Sequence, residues 1–222
     1  MGETLLCKFL GACSLKRLRY DREWEGSMGD PKHGLMSADE FLVWIETQTE
    51  RHELVNGVPI RMMAGAKQGH NVVTSNILVA LVPQAKRKGC RTTSSDTAVR
   101  TGRDGIRYPD VVVDCGPPDP SAREATGPTM VVEVSSPRTS SIDVTDKLDE
   151  YRVHAGLRLI VFVDPDVVAV KVYRRHDAKA WNIERYVDLR QSIDLAEIGA
   201  SLSLQDIYDT LSPQQRPPLR VI

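Results

Sequence analysis

The chain has 222 residues, 41% hydrophobic and 27% charged, enough for one sizeable core and somewhat long for a single compact domain. Its 29 basic and 30 acidic residues leave a net charge of −1, so overall charge gives no support for nucleic-acid binding and any basic surface must be local. No stretch approaches the roughly 18 to 20 apolar residues of a membrane helix.

Cys7, Cys13, Cys90 and Cys115 form no CxxC pair and no regular spacing, which reads as reduced thiols in a cytoplasmic protein. Near the start, "LGAC" resembles a lipoprotein cleavage box. Lys8 interrupts the apolar stretch, however, and no basic segment precedes it, which argues against a signal peptide. The following "SLKRLRYDREWEG" is charged and unpatterned, and Met28 and Met36 both suit a natural start. The expected organisation is a loosely ordered extension over 1–30, one domain over 31–212 and a polar, Pro-rich tail over 213–222.

Regular patterning begins at Ser37. "SADEFLVWIETQ" carries a capping box, Ser37 with Glu40, ahead of the apolar face Phe41, Leu42, Trp44 and Ile45. "HELVNGVPIRMM" reads as two short strands around Asn56-Gly57, a strong hairpin signal. "HNVVTSNILVALVPQAKRKG" has helical spacing and ends at Gly89, with Pro83 as a kink or a limit to its regular part. "DTAVR" and "YPDVVVDC" read as strands separated by the turn "TGRDG". "TMVVEV" is a further strand, expected to pair with Asp110 to Cys115. "SIDVTDKLDEYRVHAG" is a helix with Val144, Leu148, Tyr151 and Ala155 on one stripe, ending at Gly156. "LRLIVFVD" is a buried strand, so strand, helix and strand form a parallel crossover. "VVAVKVYRR" and "AWNIERYV" follow as antiparallel strands, and "SLSLQDIYDTL" as a short final helix. The class is α/β, a mixed sheet flanked by helices with additional antiparallel hairpins.

Two carboxylates stand out. Glu133 interrupts the apolar run Met130 to Val134, where an ionised carboxylate is costly unless paired or bound to metal. Asp110 follows Pro109 and opens the neighbouring strand. If the strands pair, the two carboxylates meet at one end of the sheet, an arrangement that suits a hard cation such as Mg²⁺. The alternatives are a turn-ending Asp110 and a Glu133 held by Arg107 or Lys147 in a structural ion pair. "KRKGCR", with Lys86, Arg87 and Lys88, reads either as a phosphate-contacting patch or as cations complementing a helix C-terminus. Arg107 and Arg138 join the first reading.

"YPDVVV" followed by "VVEVSSP" resembles the PD-(D/E)xK nuclease signature. With "HELVNG" upstream and "EVSSPRTSSIDVTDKLDEY" then "GLRLIVFVDP", the chain resembles the Uma-two family of restriction endonucleases from about Ser37 to about Leu211. The resemblance implies a restriction-endonuclease-like fold with a mixed central sheet and a Mg²⁺ site, Mn²⁺ being a substitute. It also implies DNA as partner, no membrane association, and room for a homodimer. Asp110 and Glu133 become metal ligands, with the backbone carbonyl of Ser135 as a third. The lysine of the signature would fall at Ser135; the Uma-two pattern moves it into the following helix, to Lys147. Glu53 becomes an added acidic member of the site, against a plain reading as a solvated edge-strand residue. His70, with Gln68 before it, is an accessory candidate or a helix cap. The implied activity is a metal-dependent DNA endonuclease. Its rivals are a nucleic-acid- or partner-binding module on the same fold with weak or lost catalysis, favoured by the missing lysine at Ser135, and an interaction protein whose carboxylates are structural.

Overall fold

The structure, a computed structural model, describes residues 34–62, 65–134, 141–177 and 180–215. The expected extension over 1–30 and most of the expected tail lie outside these residues, as do Ser135 and Arg138. Helix α1, Ala38–Trp44, starts on Ser37 with both halves of the capping box made and buries Ala38, Phe41 and Leu42. Strands β1, His52–Val55, and β2, Val58–Arg61, form the expected hairpin. Asn56 and Gly57 both hold positive φ, 50° and 78°, the backbone of the primed turns that match strand twist. Helix α2, Gln68–Arg87, turns Val73, Ile77, Leu81 and Ala85 into the core, a strict four-residue spacing. It continues through Pro83 and stops before Gly89, whose φ is +81°.

The region after α2 departs from the simple two-strand reading. Strand β3, Arg91–Ser94, had no clear apolar alternation and was missed. Strands β4, Val99–Gly102, and β5, Gly105–Arg107, make a tight hairpin around the "TGRDG" turn, and β5 pairs with β1. The small sheet runs β2-β1-β5-β4. The chain leaves it at Tyr108-Pro109 and enters the large sheet as β6, Val111–Asp114. Proline cannot donate to a ladder, so this is a natural place to change sheets.

The large sheet holds β6, β7 (Pro128–Val134), β8 (Leu159–Asp164), β9 (Ala169–Arg175) and β10 (Trp181–Tyr186), in the order β10-β9-β8-β7-β6-β3. Strands β7 and β8 are parallel, joined through helix α3, Ser141–Val153; every other pair is antiparallel. The sheet is therefore mixed, as expected. One face packs on α2 and on β11 (Ser192–Leu195), β12 (Ala200–Ser203) and α4 (Leu204–Ile207). The other packs on Leu148 and Tyr151 of α3. Among the described residues no helix is long and apolar enough to cross a membrane.

The expectation of four reduced thiols is corrected for one pair. Cys90 and Cys115 are joined by a disulfide. The register Arg91 to Asp114 puts the next residue of each strand directly opposite, and their Cα atoms are 4.2 Å apart. Sequence spacing carries no trace of that cross-strand pairing.

Candidate active site

The pairing of β6 with β7 decides the geometry. Val111 lies opposite Val132, so one step further along the register sets Asp110 opposite Glu133. Directly opposed residues share a face, so both carboxylates stand at one end of the sheet on the side of α3. The Asp110 carboxylate accepts a hydrogen bond from the Val134 amide at 2.7 Å and lies 3.2 Å from His70 Nε2. His70 sits in the first turn of α2, which packs on the opposite face, and reaches over the strand end. Asp110 raises the pKa of the imidazole by hydrogen bonding to it.

Glu133 is 8% exposed. Its carboxylate takes the Lys147 ammonium at 3.1 Å and the Tyr151 hydroxyl at 2.6 Å. Burial pushes its carboxyl up to about 6; Lys147 opposes that shift, while the charges of Asp110 and Glu53 add to it. Lys147 also lies 3.8 Å from Glu53, so one ammonium spans carboxylates from the two sheets. A cation from helix α3 thus stands beside Glu133.

Glu53 is not a solvated edge residue. Its strand β1 is interior to the small sheet, and the residue is 8% exposed. It accepts from Arg107 at 2.8 Å and from the Tyr108 amide at 3.2 Å. Arg107 is placed differently from the expected phosphate contact: it is 4% exposed and held bidentately by Glu150 at 2.6 and 2.7 Å. Burial alone would lower its pKa, but Glu150 and Glu53 outweigh that and raise it. Gln68 is exposed in the first turn of α2. Lys86, Arg87 and Lys88 lie 16 or more residues along from His70, about 24 Å at 1.5 Å per residue, at the far end of α2. There Lys88 donates to the Ala196 and Glu197 carbonyls.

Tyr151 and Glu150 were missed as site residues. A tyrosine on a buried stripe needs a partner for its hydroxyl, and Tyr151 is one turn beyond Lys147; that signal was present. Glu150 carried none, because its partner Arg107 comes from the other sheet.

The cluster has four carboxylates, Glu53, Asp110, Glu133 and Glu150, facing two permanent cations, Lys147 and Arg107. Among the described residues no group of three or more His, Cys, Asp or Glu side chains is arranged to hold a metal ion. Two hard oxygen donors side by side in surplus negative charge still fit Mg²⁺. That ion takes one or two carboxylates from a protein and fills its shell with water and phosphate oxygens.

The chain is 30% identical over 179 residues to an uncharacterized Synechocystis protein, covering 80% of this chain and 93% of that one. A second uncharacterized Synechocystis protein is 28% identical over 153 residues, 66% of this chain and 85% of its own. The fold superposes on a crystal structure from Anabaena variabilis described as "a putative nuclease belonging to DUF820". The TM-score is 0.62 at 20% identity, covering 78% of this chain and 97% of that one. Residues 38–205, most of the chain and every site residue discussed above, match one family described as "Putative restriction endonuclease": the chain belongs to the Uma2 family.

Proposed function

We propose that the chain is a metal-dependent endonuclease that hydrolyses DNA phosphodiester bonds. The observation that carries this reading is Asp110 set opposite Glu133 at a strand end, with the Lys147 ammonium 3.1 Å from Glu133. Asp110 and Glu133 would hold Mg²⁺ or Mn²⁺, which supplies Lewis-acid polarisation of the phosphoryl group and a water of lowered pKa.

The chain's own groups have distinct parts. His70 and the Val134 amide fix the Asp110 carboxylate, and Tyr151 fixes Glu133, so neither ligand must be reoriented when substrate arrives. Lys147 stabilises negative charge that develops on the attacking oxygen and on the phosphoryl oxygens. Glu53 limits the reach of Lys147 and adds to the negative field that favours a cation.

A binding module without catalysis on the same fold is the second reading. It is favoured by Lys147 already lying within reach of both Glu133 and Glu53. A cleavage assay on mixed DNA substrates with Mg²⁺ or Mn²⁺ separates the two. Wild type should cut, Asp110→Ala should not, and Lys147→Ala should lose about 100-fold or more of the rate. Wild type that binds DNA without cutting it under any of these conditions would support the module instead.

A further inference from the structure

We propose that Lys171 and Arg185 bind the phosphates of the nucleic-acid backbone as it leaves the Asp110–Glu133 site and crosses the open half of the large sheet. This rests on the endonuclease reading above and names where its substrate lies.

The register carries the argument. Glu133 pairs with Phe162 on β8, Phe162 with Lys171 on β9, and Lys171 with Arg185 on β10. Cross-strand partners share a face, so these residues and Asp110 form one transverse row, acidic at one end and basic at the other. Strands lie about 4.8 Å apart, which sets the Lys171 backbone about 10 Å and the Arg185 backbone about 14 Å from that of Glu133. Successive phosphates of one DNA strand are spaced about 3.4 Å along the duplex axis and farther along the backbone itself, so a backbone following the row would bring one or two of them over the two cations.

Helix α3 leaves this part of the face open. Leu148 and Tyr151 pack with Val112, Val131, Ile160, Phe162 and Tyr173. Beyond them Lys171 and Arg185 are exposed, and Ile183, in the adjacent row, is 44% exposed. Arg91, Arg100, Arg107 and Arg174, also on strands, are each held by carboxylates, and Arg175 donates to the Leu157, Arg152 and His154 carbonyls. Lys171 and Arg185 have no ion-pair partner among the described residues. Charge on an edge strand also blunts strand-to-strand aggregation. That role asks for charge on either face, whereas both cations here share the face and row of Glu133. Four clustered carboxylates repel a phosphodiester, and cations beside them are what would hold the backbone in place.

The test is fluorescence anisotropy with a labelled 20-base-pair duplex, in EDTA, across a salt series. Lys171→Ala/Arg185→Ala should bind about tenfold more weakly than wild type at low salt. Its plot of log affinity against log salt should be shallower by about 1.8. Lys86→Ala/Arg87→Ala removes the same charge from the far end of α2 and should change the slope less. An unchanged slope in the first variant would overturn the assignment. So would an equal loss in the second, or a wild type that does not bind. The endonuclease reading is checked separately by wild-type hydrolysis of bis(4-nitrophenyl) phosphate with Mn²⁺. Failure there with the slope result intact would remove the catalysis and leave the phosphate track.

Discussion

Glu133 is held where ionising it is costly. Burial raises its pKa to about 6 from an ordinary 4.5, and the neighbouring Asp110 and Glu53 charges add to that, against Lys147 and the Tyr151 hydroxyl. The folded protein therefore binds this proton more tightly than the unfolded chain does. The resulting stabilisation is complete below pH 4.5 and is lost as pH rises through about 6. Glu133→Gln has no such proton to lose and keeps an acceptor for Tyr151. In EDTA the wild type should lose about 2 kcal/mol relative to Glu133→Gln across that window, about 4 to 8 °C in Tm. Parallel melting curves against pH would show that Lys147 already compensates the charge in full. A site that is unfavourable when empty has a reason to bind a cation. This is the physical content of a glutamate in an apolar strand, and it was legible from the sequence because "VVEV" breaks its own pattern. Glu150 was not legible as a site residue, because its partner Arg107 lies 43 residues away in the chain and on the other sheet; Tyr151 did carry a signal, a tyrosine on a buried stripe one turn beyond Lys147.

At the scale of elements, α3 does most of the assembling. Lys147, Glu150 and Tyr151 fall at i, i+3 and i+4, so one face of one helix serves Glu133, Glu53 and Arg107. The apolar stripe that docks it follows the sequence pattern at Val144, Leu148 and Tyr151, but departs from it at the helix end. The helix stops at Val153, and Ala155, expected on the stripe, is exposed. The stop is His154, whose Nδ1 accepts the Gly156 and Leu157 amides at 3.1 and 3.2 Å. That device depends on a neutral ring, which no periodicity encodes. Burial lowers the pKa of His154, with the charge of Arg175 adding to the effect. The stabilisation is therefore present above the ordinary value of 6.5 and lost as pH falls below it. His154→Ala should cost about 1 to 2 kcal/mol at pH 7.5, and the difference from wild type should shrink as pH falls to 5. Thermal melting across that range checks it; a constant difference would show that the ring contributes only packing. The strands missed from sequence, β3, β11 and β12, are four residues each, and the three-residue β5 falls at the end of the "TGRDG" turn and the two residues after it. Such lengths hold too few positions for alternation to show.

The molecule as a whole is two sheets brought together over a polar seam. Arg107 ends β5 of the small sheet and binds Glu53 of the same sheet, while its bidentate contact to Glu150 latches α3, which is itself packed on the large sheet. Thr101 of β4 adds a hydroxyl bond to the same Glu150 at 3.1 Å. Removing the arginine strands the buried Glu53 and the half-buried Glu150, and breaking a buried pair from one side costs about 3 to 5 kcal/mol. Arg107→Ala should therefore lower Tm by about 6 to 20 °C. Neutralising the stranded partners should recover most of that. Arg107→Met with Glu53→Gln and Glu150→Gln replaces the charged network by groups of similar size, an exchange that is close to neutral in other buried networks. Calorimetry on the three proteins decides the matter. If Arg107→Ala melts within about 2 °C of wild type, the sheets are held by their apolar contacts and the seam exists for the site alone. If the single variant falls and the triple variant recovers, the same charges that place Glu53 and Lys147 beside Glu133 also join the two sheets. Loss of the seam would then unfasten the site and the fold together.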